Sequence, residues 1–169
     1  MRVTDTHVYF YGAQECYSQW YKAGFTYKGL YFKTAEFWMM YCKAMLFKDT
    51  DIAEKILNAN HSYEAKALGK RVRNFVKEVW ERHCKRYVYI GNHLKFSQNP
   101  NILKVILTHA GKVFVEASIP DVIWGVGLSE DNDDILDHRN WKGTNWLGDC
   151  ITDVANTLAI EYTGVLFDT

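Results

Sequence analysis

Glu36 and Lys43 stand seven residues apart in EFWMMYCKAMLF, residues 36–47. In a helix that spacing is close to two turns, so the carboxylate and the amine leave the same face, beside Met39 and Met40. A carboxylate can carry a proton and an amine can attack a carbonyl or imine carbon, which suits acid–base and nucleophilic chemistry. The same two groups on an apolar face also suit a buried charge arrangement or a snorkelling lysine. A second constellation lies in VFVEASIPDVIWGVG, residues 113–127, where Glu116 interrupts an apolar run and Asp121 follows Pro120. An unpaired carboxylate is expensive to bury, so each acid needs a partner or a task. Strand alternation puts Phe114, Glu116 and Ser118 on one face and Val113, Val115 and Ala117 on the other. Asp121 then falls at a strand end or loop, either as a reacting group or as a turn cap. Trp124, before Gly125-Val126-Gly127, either stacks on a flat ligand that the glycines let close to the backbone, or is a buried tryptophan before a turn.

The elements that must hold these residues follow from periodicity and punctuation. VTDTHVYFYG and FTYKGLYFKT read as extended, the second as a short hairpin or edge strands around Gly29. Residues 36–47 read as a buried helix that starts near Thr34 and Ala35. A second helix runs from an Asp49 or Thr50 cap through Asn58, and a third from Ser62 to near Gly69. A longer one carries Phe75, Val76, Val79, Trp80, Tyr87, Ile90 and Leu94 on or near one stripe. Pro100 suits the first turn of NPNILKVILTHAG, with Gly111 as its stop. KVFVEAS reads as a strand. SEDNDD, residues 129–134, reads as a solvated loop or helix start, because it lacks the glycine and terminal glutamate of a calcium loop. A final helix runs from about Asn145 towards Ile160. This order predicts a helix-rich α+β domain with a small antiparallel or mixed sheet.

Composition narrows the classes. The 169 residues, with two prolines and no Gly/Ser-rich linker or repeat, suit one domain. Twenty basic and twenty acidic residues cancel, so no overall basic field favours avid, sequence-blind duplex binding, although a local basic groove is left open. Aromatic residues make up 15%, and they serve a core and a stacking surface equally well. Four scattered cysteines and six histidines show no metal-ligand spacing, which predicts reduced thiols in a cytoplasmic protein. No signal peptide pattern and no run near the ~18 apolar residues of a membrane span appear. Nucleotide-loop, nucleophile-elbow and zinc-deaminase signatures are absent. The expectation is a site of carboxylates, a lysine and aromatics, with no metal and no cofactor.

In their joint order, SQWYKAGF (residues 18–25), GLYFKTAEFWMMYCKAMLF (29–47), AKALGKRV (65–72), LKFSQNPNILKVILTH (94–109), VEASIPDVIWGVG (115–127) and NWLG (145–148) resemble the YbiA-like or NADAR (NAD and ADP-ribose associated) family. The resemblance implies a metal-independent N-glycosidase. Some family members act on ribosylamine intermediates of riboflavin biosynthesis; others remove ADP-ribose from the amino group of guanine in nucleic acid, in some cases paired with an ADP-ribosylating toxin. Both substrates join the anomeric carbon of ribose to an exocyclic amine, and of the two the resemblance is read here towards ADP-ribosylated guanine. A non-catalytic ADP-ribose- or NAD-binding module is the other class.

Carried over by position, Glu36, Lys43 and Asp121 are the implied catalytic residues. Lys43 would capture a ring-opened imine as a Schiff base, with Glu36 or Asp121 moving protons; the competing route uses carboxylates and water alone. Glu116 and Trp124 match the second block as substrate contacts, Trp80 an aromatic of the long helix, and Lys66 with Gly69 a phosphate contact or a plain helix end. Ser18, Gln98, Asn99 and Asn145 are implied contacts to sugar or diphosphate. The chain departs from the family pattern at Lys22, where proline is usual, and in DVANTL, where a basic residue usually follows valine. The resemblance leaves the oligomeric state open.

Overall fold

The computed structural model describes residues 1–164. Along them run β1 (Arg2–Val3), β2 (His7–Phe10), β3 (Phe25–Tyr27), β4 (Leu30–Phe32), α1 (Ala35–Leu46), α2 (Thr50–Asn58), α3 (Ser62–Gly69), α4 (Lys77–Ser97), α5 (Pro100–His109), β5 (Val113–Glu116) and α6 (Trp146–Thr163). Two short 3-10 helices, Asp133–Leu136 and His138–Asn140, precede α6. Among the described residues there is one three-stranded sheet and one two-stranded hairpin. This is the expected helix-rich α+β architecture. The elements gather into two units, Gln19–Asn99 and the remainder, and each is described by itself.

In the first unit to begin along the chain, β2 is the middle strand. It pairs antiparallel with β1 (Arg2↔Tyr9) and parallel with β5 (His7↔Val113 through Phe10↔Glu116). The opening extended segment is thus two strands, because Thr4 accepts from His7 N at 3.0 Å and turns the chain. Val115 and Ala117 face a core of Tyr9, Val126, Leu128 and Ile135, closed by Trp141. On the other face Phe114 meets Tyr17 edge-on, ring centroids 4.9 Å apart. Strand β5 is shorter than KVFVEAS: after Glu116 the chain pairs with its own return, Val126 N donating to Glu116 O and Gly127 N to Ser118 O.

Helix α6 is fastened along β5. Asn145, in the left-handed region at φ 56°, accepts from Glu116 N and donates to Phe114 O, both at 3.0 Å. Gly148 follows one turn on, where an added Cβ would stand 2.2 Å from Phe114 O. The close approach of helix to strand therefore requires glycine. Asn145 and Gly148 give NWLG a packing reason.

In the Gln19–Asn99 unit, the first half of α1, Ala35 to Met40, is buried on every side, Met45 near its end is exposed, and α2, α3 and α4 pack against it. A helical stretch buried all round is core. Trp38 donates its indole N–H to Tyr87 O at 2.8 Å and lies on Gly91, where a Cβ would come within 2.3 Å of the ring. The β3–β4 hairpin turns at Lys28 and Gly29, both with positive φ. Asp49 caps α2 through Ile52 N, as its position suggests. The same carboxylate accepts from Arg73 N at 2.9 Å and from its guanidinium at 2.8 and 3.2 Å. That clamp, with Asn74 at φ 60°, turns the chain before α4. Phe75 and Val76, expected on the long helix, therefore precede it, Val76 as its N-cap.

Candidate active site

Helix α1 puts Glu36 in its first turn and Lys43 in its last, and Phe75 of the preceding loop and Trp80 of α4 lie against Lys43. Glu36 is only 6% exposed, and its main-chain N–H donates to Gln19 O at 3.0 Å. A first-turn carboxylate gains from the helix dipole. Lys43 Nζ lies 4.5 Å from the ring centroid of Phe75 and 5.9 Å from that of Trp80. Phe75 is held from behind by an edge contact with Phe47, centroids 5.3 Å apart. Half-burial lowers the Lys43 pKa from the ordinary lysine value, and repulsion from Lys70 adds to it; attraction to Glu36 works against both. An amine so placed loses its proton more readily than a surface lysine, and neutral amine is the nucleophilic form. By contrast burial pushes the nearby Cys42 thiol up to about 12, which makes it inert.

The structure thus brings Lys43 and Trp80 together, with Glu36 acting on the Lys43 charge from two turns away, and Gly69 stands against the same helix. A Cβ at Gly69 would fall 2.0 Å from Met40 Sδ; its place at the end of α3 makes room for α1. Lys66 is exposed on α3. Gln98 and Asn99 are engaged at the far end of α4. The Gln98 amide pairs with both main-chain atoms of Thr26 at 2.9 Å, and Asn99 donates to Gly24 O at 3.0 Å and Lys95 O at 2.7 Å.

In the other unit, Glu116, Asp121, Trp124 and Asn145 form a connected group. One oxygen of the half-buried Glu116 carboxylate is wholly out of solvent. Asp121 accepts from Ile123 N at 2.9 Å and Trp124 N at 2.8 Å through one oxygen, which is the turn-cap arrangement. Trp124 is half-buried, edge-on to Trp146 with centroids 5.6 Å apart. Gly125 lets this turn close, since its Cβ would meet Asp121 O at 2.9 Å and Glu116 O at 3.0 Å. Asn145 is 2% exposed and holds the strand that carries Glu116. Ser18, half-buried, donates its main-chain N–H to Glu15 O at 2.9 Å.

Sequence reasoning missed two groups. Lys95 is fully buried, its Nζ 5.0 Å from the Phe96 centroid and 5.9 Å from that of Tyr21. Asn92, also 0% exposed, donates at 2.8 Å to Gln19, whose carbonyl receives Glu36 N–H. Both sit three residues apart on α4, and that shared face beside aromatic positions was the available signal. Among the described residues no group of three or more His, Cys, Asp and Glu side chains could hold a metal ion, and no helix is long and apolar enough to cross a membrane. An open cleft of about 660 Å³ between α2 and α3, lined by Asp51, Glu54, Lys55 and Glu64 among others, contains none of the candidate residues.

The NADAR domain family matches residues 9–159. An N-glycosidase of Acanthamoeba polyphaga mimivirus is 39% identical over 156 residues, covering 86% of this chain and 92% of that protein. The chloroplastic riboflavin biosynthesis protein PYRR of Zea mays is 33% identical over 102 residues, covering 58% of this chain and 15% of that much longer protein. The NMR structure of the Escherichia coli protein YbiA shares the fold, with a TM-score of 0.74, 23% identity, and coverage of 95% of this chain and 89% of that one.

Proposed function

The chain belongs to the NADAR family, and from that premise we propose that it is an N-glycosidase that splits the bond between ribose and an exocyclic amine, removing ADP-ribose from guanine in nucleic acid. The observation that carries the reading is the Lys43 amine, half-buried between Phe75 and Trp80 with its pKa lowered, two turns from a buried carboxylate on the same helix. In this reading the N-riboside opens to an imine at the anomeric carbon. Neutral Lys43 adds to that carbon, the exocyclic amine leaves with a proton delivered by the Glu36 carboxyl, and a lysine imine of ribose remains. Water adds to this imine and returns Lys43 as the free amine, with ribose as its aldehyde, which closes to the ring. The net change is one water consumed and one C–N bond replaced by C–O.

Glu36 is favoured over Asp121 as the proton carrier because Asp121 already accepts two main-chain N–H groups in its turn. Incubation with ADP-ribosylated guanine in an oligonucleotide and, in parallel, with a riboflavin-type ribosylamine tests substrate and site together. Wild type releases guanine-bearing strand, borohydride traps a ribose adduct on Lys43, Lys43→Met abolishes release, and Glu36→Gln slows it on the order of 10²- to 10⁴-fold. A fully active Lys43→Met protein overturns the covalent step. Cleavage of the ribosylamine alone moves the assignment to the small metabolite, the reading favoured by the partial match to the maize riboflavin protein.

A further inference from the structure

Helix α1 begins without the cap its sequence offers. Thr34 occupies the N-cap position in extended backbone, but its side chain caps no main-chain N–H; its hydroxyl lies 2.9 Å from that of Ser62 instead. An N-cap oxygen ordinarily accepts from the second or third N–H of the helix. Here the second, that of Glu36, is taken by the main-chain oxygen of Gln19 at 3.0 Å. The residue that carries the proton in the reading above is thus held from outside its own helix, by a segment that precedes the β3–β4 hairpin.

Gln19 is fixed in turn by α4. Its side-chain oxygen accepts from Asn92 Nδ2 at 2.8 Å, and the same Nδ2 donates to Val88 O, one turn back on α4, at 2.9 Å. Both protons of the Asn92 amide are therefore used. The Gln19 amide nitrogen lies 3.9 Å from Met39 Sδ, one turn along α1 from Glu36, so Gln19 meets that helix at two points. Gln19 is half-buried and Asn92 fully buried. The remaining polar atom of Asn92, Oδ1, is out of solvent and accepts no hydrogen bond among the described residues. A buried acceptor without a partner costs stability, and an apolar residue there would incur no such cost. An asparagine at this position is thus explained by the direction of its N–H bonds rather than by packing.

We propose that Asn92 is a positioning residue: through Gln19 it fixes the start of α1, and with it the Glu36 carboxylate. The proposal rests on the reading of Glu36 as the proton carrier. A reacting group displaced by about 1 Å from its productive geometry costs a factor on the order of 10² in rate, so a main-chain tether at Glu36 itself has a kinetic consequence that a tether elsewhere on the helix would lack.

The kinetics of Asn92→Ala test this on whichever substrate, ADP-ribosylated oligonucleotide or ribosylamine, wild type cleaves. The expected kcat falls on the order of 10²-fold, KM and Tm stay close to wild type, and Gln19→Ala gives a similar loss. The Asn92→Ala/Gln19→Ala protein loses no more than either alone, because the two residues act as one chain. In a Glu36→Gln background Asn92→Ala lowers the residual rate no further; a merely structural role would lower it there too. Gln19→Ala leaves α4 intact and carries the same test should Asn92→Ala not fold. A second measurement needs no turnover. Glu36 raises the Lys43 pKa, so a loosened carboxylate raises it less. NMR titration of the Lys43 amine then gives a lower pKa in Asn92→Ala than in wild type, and no difference between Glu36→Gln and Glu36→Gln/Asn92→Ala. An unchanged kcat in Asn92→Ala or Gln19→Ala, a further loss in the Glu36→Gln background, or an unmoved Lys43 titration each overturns the proposal. The two readings fail separately. A lowered Lys43 pKa in a protein that cleaves neither substrate keeps the positioning and sinks the proton-carrier reading, while a substrate that Asn92→Ala cleaves at the full wild-type rate sinks the positioning alone.

Discussion

Lys43 sets the pH dependence expected of catalysis. Burial and Lys70 lower its pKa below the ordinary 10.5, so the neutral amine grows with pH through a point below that value, and kcat/KM rises with it. Lys70→Gln removes a repulsion that lowers the pKa, and so moves the rise to higher pH. Glu36→Gln discriminates two roles, because Glu36 raises the Lys43 pKa. If Glu36 were only a neighbouring charge, its loss would shift the profile to lower pH at full rate. As the proton carrier, its loss lowers kcat on the order of 10²- to 10⁴-fold at every pH, which a pH series of single-turnover rates reads directly. The stability sign follows from the same shift. Between the folded pKa and 10.5 the unfolded chain binds more protons, so stability rises with pH in that window.

At the scale of elements, two glycines make opposite predictions. Gly148→Ala drives a Cβ to 2.2 Å from a main-chain oxygen of β5, which cannot yield without parting helix and strand. Overpacking of this kind costs about 1–3 kcal/mol, or a Tm loss of roughly 2–4 °C per kcal/mol in a chain of this size. Gly69→Ala meets the end of the flexible Met40 side chain instead, so it disturbs stability less and shows in the kinetics of the Glu36–Lys43 helix. Asn145→Asp keeps the acceptor for Glu116 N but turns the donor facing Phe114 O into an acceptor; a buried group left unsatisfied costs about 1–3 kcal/mol. A calorimetric Tm close to wild type for Gly148→Ala or Asn145→Asp would show that α6 is not fastened to β5 as described.

Asp49 adds a pH-dependent case. The Arg73 guanidinium holds its carboxyl well below the usual 3.8. Its stabilisation is complete above that value and is lost as pH falls below it through the lower folded pKa. Asp49→Asn keeps the cap acceptor and loses the ion pair, so its thermal stability is lower at pH 7 and flatter through the acid range. These cases also show what the chain makes legible. Helix caps and stops such as Asp49, Pro100 and Gly111 are read locally, because each acts on residues three or four positions away. The clamp from Asp49 to Arg73, the bracket from Asn145 to β5 and the burial of Lys95 join positions distant in sequence, or depend on what packs around them, and periodicity carries no sign of either. Hence neither the bracket that Asn145 makes to β5 nor the start of the long helix after Phe75 is legible in the chain.

For the whole molecule, the charge sum of zero and a sequence pI near 7.0 led to the expectation of no strong field. Division by unit replaces that with +8 and −8, a distinction total composition averages away. Near pH 7 no net repulsion keeps copies apart, while the basic region of one copy attracts the acidic region of another. The attraction acts over about 10 Å at 0.1 M salt and roughly 30 Å at 0.01 M. Static light scattering at pH 7 should therefore give a negative second virial coefficient near 0.01 M salt that climbs towards zero by 0.15 M. The Arg71→Gln/Arg82→Gln/Arg86→Gln protein, with three fewer positive charges, carries a net negative charge and weaker patch attraction, so its coefficient at low salt is less negative. Identical coefficients for the two proteins across the salt series would mean that the basic stretch has no reach beyond its own side chains.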